Sequence, residues 1–382
     1  MHDIFDYMEW RGDIPFSQVP PNDVDFAILC CLSYVPFDGV VPGEGSREPV
    51  TLKNAAERVM ERSSDPGDGR TFHLRDDAKL LEMAVEAPRF SELKLTGYTN
   101  VFSEKEEEQF CAMTFIFPDG TPVVVFRGTD GTIIGWKEDF NMGFLEQLPS
   151  QKDAVDYLEK TAGEYGNGHD IYVCGHSKGG NLAMYAAAFS KTDIQKRIRA
   201  VRNFDGPGFK DNILQSTEFI AVKDRIMTLM PQSSMVGILL GHKEPYRVVH
   251  STAQTRKQHE LYTWAVYRSD FMEESRLSES SVVAGKAMSD WITQMSDEER
   301  MKLTDGIFEI LKGTDAVTID ELKEGRNLLT LARSLGKLDP ETRALLGQTG
   351  RILGESVWEL GVKAKKGPGK EQDPVRETGK ER

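Results

Sequence analysis

Long apolar runs are missing from this 382-residue chain: nowhere do about 20 consecutive apolar residues occur, the number an α-helix needs to cross a bilayer. The opening residues, Met1-His2-Asp3-Ile4-Phe5-Asp6, lack the basic flank and apolar stretch of a secretory leader, so a cytoplasmic protein without a transmembrane segment is expected. Cysteine is scarce. Cys30, Cys31, Cys111 and Cys174 each lie in an apolar run, and neither a C-x-x-C pair nor a Cys/His spacing suited to zinc occurs. This excludes a disulfide framework and points to buried thiols and no metal. Positive charge is outweighed: the formal net charge of −14 repels phosphate backbones, so no nucleic-acid partner is expected.

What is present fits a folded, water-soluble body, with 39% hydrophobic and 28% charged residues. Residues Val24 to Tyr34 form an apolar stretch suited to a buried helix, and Asp76 to Glu86 carries Leu80, Leu81, Met83 and Ala84 at helical spacing. Phe110 to Phe117 and Thr121 to Phe126 flank Pro118-Asp119-Gly120, the residues of a tight reversal, and read as a hairpin. A helix around Asp153 to Tyr165, a strand at Ile171 to Cys174 and a small-residue helix from Asn181 to Phe189 follow. Further strands are expected at Ile198 to Phe204, Arg225 to Leu229 and Tyr246 to His250. Strands alternating with helices predict a mostly parallel sheet covered on both faces.

Beyond about residue 270 the strand signals stop. Val282 to Met295, Asp297 to Leu311 and Ile319 to Leu335 read as amphipathic helices, which gives a domain over 1–270 and a helical annex over 271–362. Residues 363–382 are rich in Lys, Glu, Gly and Pro and are expected to form a flexible tail.

Gly175-His176-Ser177-Lys178-Gly179 matches G-x-S-x-G between an expected strand and an expected helix, the setting of a nucleophile elbow in an α/β-hydrolase fold. Glycines on both sides let the serine project from a cramped turn, and the helix that follows aims its first N–H groups at the site. An acyl-transfer site also needs two donors for the developing oxyanion. Lys178, after the nucleophile, and Thr129, in Phe126-Arg127-Gly128-Thr129-Asp130 at the end of an earlier strand, stand at those positions.

These segments resemble the class 3 (fungal-type) lipases, whose oxyanion strand looks like FRGT with a downstream W-x-x-D and whose elbow looks like GHSLGG. Here FRGTD, Trp136-Lys137-Glu138-Asp139 and GHSKGG stand in the same order. DYMEWRGDIPF and DFAILCCLSY near the N-terminus further resemble a bacterial lipase-like family of unassigned function. The resemblance covers roughly residues 1 to 270. It implies Ser177 as nucleophile, Thr129 and Lys178 as oxyanion donors, and Arg127 paired with Asp139 as a structural brace. An Arg at an apolar strand end independently needs a carboxylate.

A serine needs a histidine to take its proton, and that histidine needs an orienting group. Of seven histidines, His2, His73, His169 and His176 read as structural or solvated, His176 being turned away from its neighbour. The order Ser, acid, His leaves His242, His250 and His259. His259 is favoured for its polar loop after the last strand, and in the resembling bacterial family a similar Gln-His precedes a Trp, as Gln258-His259 precedes Trp264. Class 3 lipases place an Asp after the strand that here precedes Pro231-Gln232-Ser233-Ser234, a departure from the pattern. Asp205, at the C-terminal end of the preceding strand, is favoured as the acid. Asp224 is the runner-up, and orientation of the histidine by Ser233 or Ser234 is a third reading.

The expected chemistry is hydrolysis of a small-molecule or lipid ester through an acyl enzyme, with no cofactor. Met235 to Leu240 reads as core, or else as an acyl pocket or lid. The rival is a hydrolase-fold binding or scaffolding protein without turnover. In a third reading the annex docks a partner or a membrane surface.

Overall fold

A computed structural model describes residues 1–46, 48–63, 75–129, 133–142, 145–165, 169–283, 285–286, 295–312, 334–336 and 338–348. The tail, most of the Ile319 to Leu335 and Val282 to Met295 segments, His73 and Asp130 lie outside the described residues.

Two capped helices open the chain. In α1 (Ile4–Arg11) Asp3 caps the N-terminus with Asp6 reaching back, and in α2 (Asp23–Leu32) Asn22 and Asp25 do the same. β1 (Val50–Thr51), α3 (Leu52–Ser63) and α4 (Arg75–Glu86) lead to β2 (Lys94–Ser103). β3 (Glu108–Ile116) and β4 (Pro122–Phe126) form the expected hairpin. At its turn Gly120 has φ +88°, a left-handed conformation that favours glycine, and Asp119 Oδ1 accepts from Thr121 N at 2.9 Å.

Then come α5 (Ile133–Asn141), α6 (Pro149–Tyr165), β5 (Ile171–His176), α7 (Lys178–Phe189), α8 (Thr192–Gln195) and β6 (Ile198–Phe204). α9 (Asp211–Leu214), α10 (Thr217–Val222), β7 (Ile226–Pro231) and β8 (Tyr246–Val249) follow. β9 (Val266–Tyr267) pairs with β10 (Asp270–Phe271), and β11 (Glu273–Glu274) closes the far edge of the main sheet, a few residues past the point where strand signals fade.

The main sheet runs β1-β2-β3-β4-β5-β6-β7-β8-β11. Its central strands β4 to β8 are parallel, while the strands at both margins pair antiparallel. This is the α/β-hydrolase fold, a largely parallel central sheet flanked by helices. The alternation of the strands assigns side chains to two cores. In β3, Cys111, Met113 and Phe115 face α1 to α4, whereas Phe110 and Ala112 face α6, α7 and α10; in β4, Val123 and Val125 divide in the same way from Val124 and Phe126. All four cysteines are buried free thiols, as their apolar settings predict. A helix over Asp297–Lys312 packs on α5 with Leu303 and Phe308 buried. No helix among the described residues is long and apolar enough to cross a membrane.

Candidate active site

β5 leaves the sheet at His176, and α7 begins at Lys178, so Ser177 alone makes the turn between them. Its φ of 58° and ψ of −132° lie outside the regions that side chains ordinarily allow. Two bonds hold it there: Ser177 N donates to Phe204 O at 3.0 Å, and Gly180 N donates to Ser177 O at 2.9 Å. The close approach of the loop after β4 depends on Gly128. A Cβ at Gly128 would meet Tyr34 Oη at 2.5 Å, His176 O at 2.6 Å and Ser177 Cβ at 2.9 Å, so the backbone of Gly128-Thr129 lies directly against the serine.

His259 ends a 3-10 turn over Thr255–His259. Its Nδ1 lies 2.7 Å from Asp205 Oδ2, a contact between a partly exposed imidazole and a fully buried carboxylate. An ionised carboxylate can only accept, so Nδ1 carries the hydrogen and Nε2 is left to take a proton. Asp205 follows β6 with φ +49°, and its other oxygen is occupied too: Ser234 Oγ donates to Oδ1 at 2.5 Å and Gly237 N at 3.1 Å. The carboxylate is thus fixed from both sides. Ser233 N binds Gln258 Oε1 at 2.9 Å, which ties the Ser233-Ser234 turn to the residue before His259.

His176 has a structural role, with its ring 4.5 Å from the His259 ring, centroid to centroid. His176 Nε2 is 2.8 Å from His259 O, and Nδ1 is 3.0 Å from Tyr34 Oη. A tautomer with hydrogen on Nε2 satisfies both: Tyr34 donates to Nδ1, and Nε2–H donates to the His259 carbonyl. The residue before Ser177 therefore holds the backbone of His259 beside the elbow.

The other candidates fall elsewhere. His242 Nδ1 and His250 Nδ1 each meet a carboxylate of their own, Glu244 and Glu274, both at 2.6 Å. Asp224 is exposed and sits 3.8 Å from Lys223. The expected ion pair of Arg127 with Asp139 is not formed: Asp139 Oδ2 accepts from Thr129 Oγ1 at 2.7 Å, its Oδ1 has no hydrogen-bond partner among the described residues, and Arg127 Nη2 donates to Asn100 Oδ1 at 3.3 Å. Asp139 is instead engaged by the Thr129 hydroxyl, from the loop between β4 and α5, while the guanidinium reaches Asn100 in β2. Burial pushes the Asp139 carboxyl up to about 6, partly offset by the Lys178 ammonium and the Thr129 hydroxyl.

The Lys178 side chain is engaged as well. Its side chain runs into the core, where Nζ meets Glu138 Oε2 at 2.7 Å, Gln109 O at 2.7 Å and Gln109 Oε1 at 3.2 Å. The Met235 to Leu240 segment is not core: Met235 is exposed, and Val236, Ile238, Leu239 and Leu240 are only partly covered.

Sheet order, the sharp strand-to-helix turn at a serine, and an Asp at the C-terminal end of the next strand paired with a His from a later loop define a protein of the α/β-hydrolase class. A sequence model described as Mbeg1-like matches residues 84–309, more than half of the chain. The chain belongs to the Mbeg1-like family. Among solved structures it is similar to one titled "Crystal structure of M37 lipase", at 13% identity and a TM-score of 0.36, over 57% of this chain and 70% of that one. No curated protein matches it.

Proposed function

We propose that this chain is a serine hydrolase that cleaves carboxylic esters, of small molecules or lipids, through an acyl-enzyme intermediate. Ser177 is the nucleophile, His259 the base and Asp205 the acid that orients it. The observation that carries this reading is the 2.7 Å contact of Asp205 with His259, made beside a serine held at positive φ. In the reaction, Ser177 Oγ attacks the ester carbonyl as its proton passes to His259 Nε2. The backbone N–H groups of Thr129 and Lys178 receive the oxyanion, the second at the positive end of the α7 dipole. Collapse expels the alcohol, protonated by His259, and water activated by the same imidazole releases the acid. No cofactor enters these steps.

The resemblance to class 3 and bacterial lipase-like sequences supports an ester as substrate. The scaffold reading rested on the missing acid after β7, and the pairing of Asp205 with His259 supports turnover over that rival. A fluorophosphonate probe tests the proposal: the wild type is expected to label at one site and hydrolyse short-chain p-nitrophenyl esters, and Ser177→Ala to do neither. Wild-type protein that takes no label, or labelling that persists in Ser177→Ala, would end it.

A further inference from the structure

Given the serine-hydrolase reading, on which this rests, we propose that Glu138 and the Lys178 side chain are positioning residues of the oxyanion site, fixing the Lys178 backbone N–H from below. Lys178 is the first residue of α7, so the direction of its N–H follows the seating of that first turn. An apolar residue there would be held by packing, which is non-directional, rather than by hydrogen bonds of fixed geometry. The ammonium instead spends its three hydrogens on three fixed acceptors: Glu138 Oε2, Gln109 O and Gln109 Oε1.

Glu138 is itself immobilised. Its Oε2 also accepts from Gln109 N at 3.1 Å, in β3, and its Oε1 from Ser150 N at 3.2 Å, in the first turn of α6. One carboxylate therefore joins α5, α6, β3 and the elbow helix, and neither it nor the ammonium is exposed beyond 1%. Stability does not account for such a pair, because well-packed apolar residues in the same space commonly serve as well or better. Orientation does account for it. The neighbours of Glu138 extend the same scaffold: Asp139 holds the Thr129 hydroxyl, and Lys137 binds Asp305 at 2.8 Å and Glu107 at 2.5 Å. Residues 137 to 139 thus point in successive directions around α5 and reach three different segments.

The test is Lys178→Met/Glu138→Gln, a neutral pair of similar volume, measured per active site titrated with fluorophosphonate so that unfolded protein does not count. Removing an oxyanion donor outright costs about 10²–10³ in turnover, so a donor that is kept but mis-aimed should cost about ten-fold in kcat. KM should stay within about two-fold, and the affinity of a boronic acid, whose bound oxygen occupies the same hole, should fall in parallel with kcat. Glu138→Asp keeps the charge, shortens the reach and should act in the same direction; it decides the matter if the double variant does not fold. Unchanged kcat and boronate affinity in the folded variant would overturn the positioning role. A wild type that neither labels nor turns over would instead remove the underlying hydrolase reading.

Discussion

Asp205 and His259, 54 positions apart in the chain, meet at 2.7 Å, with the carboxylate wholly buried and the imidazole partly open to solvent. The buried partner is held by Ser234 Oγ and Gly237 N, so the orientation of the imidazole is set from inside the protein. Buried, fully bonded carboxylates of this kind keep a histidine in one tautomer while its other nitrogen moves a proton.

Asp205→Asn should therefore leave the fold intact and lower kcat by about 10³–10⁴, because an amide can face Nδ1 with the wrong partner. Ser234→Ala removes one of two donors to Oδ1 and should lower kcat by about ten-fold, because the carboxylate is then less firmly aimed at His259. Steady-state kinetics on a p-nitrophenyl ester measure both. Full activity in Asp205→Asn would remove Asp205 from the reaction.

Gly128→Ala tests the proximity of the Thr129 loop to Ser177, the proposed nucleophile. The added methyl would sit 2.9 Å from Ser177 Cβ and 2.5 Å from Tyr34 Oη, against atoms that have little room to retreat. Labelling of Ser177 should slow at least 100-fold, as expected when an oxyanion donor is lost, while circular dichroism retains the native spectrum. A variant that labels at the wild-type rate would contradict the close approach.

Stability should respond to pH through two buried carboxyls. Burial raises Asp139 to about 6, and burial together with Asp153 and Glu138 raises Glu108 to about 7, above ordinary values of 3.8 and 4.5. The folded state thus binds these protons more tightly than the unfolded chain. The stabilisation is complete below the ordinary values and is lost as pH rises through about 6 to 7. Urea midpoints of the wild type and of Asp139→Asn/Glu108→Gln, compared at pH 5 and pH 8, should diverge, with the wild type losing more toward pH 8. A difference that does not change with pH would refute the assignment.

Arg89 should matter for folding rather than for chemistry. Its guanidinium grips Asp25 with Nε at 2.7 Å and Nη2 at 2.6 Å, both side chains fully buried, and reaches Ile14 O at 2.7 Å. Arg89→Met strands the Asp25 charge and should cost about 3–5 kcal/mol, whereas Arg89→Met/Asp25→Leu should recover much of it. Urea unfolding gives the comparison, and a single variant within 1 kcal/mol of wild type would show the pair to be expendable.

The parts of this fold legible along the chain were those whose signal is local. The β3–β4 hairpin announces itself through Pro118-Asp119-Gly120, and the elbow through glycines whose added methyls would strike neighbouring backbone. No strand was expected over β2, where Gly97 sits at φ +66° beside a bulge between Thr96 and Thr99 that interrupts the alternation. The Arg127–Asp139 pairing failed because a spacing motif does not say which groups geometry brings within reach: Asp139 meets the Thr129 hydroxyl and Arg127 meets Asn100. For His176, read as structural or solvated, the chain could not name the partner, because the carbonyl that engages it comes from a loop 83 residues later.

Chain order and residue type alone settled that a serine would stand at a strand-to-helix bend in a sheet-centred fold, because backbone sterics there admit only a narrow set of neighbours. Which carboxylate reaches His259, and that the side chain after the serine dives to Glu138 instead of lining a surface, were decided by tertiary packing. Strands β5, β6 and β7 lie side by side only once the crossovers have folded, and only then do residues far apart in sequence compete for the same hydrogen bonds.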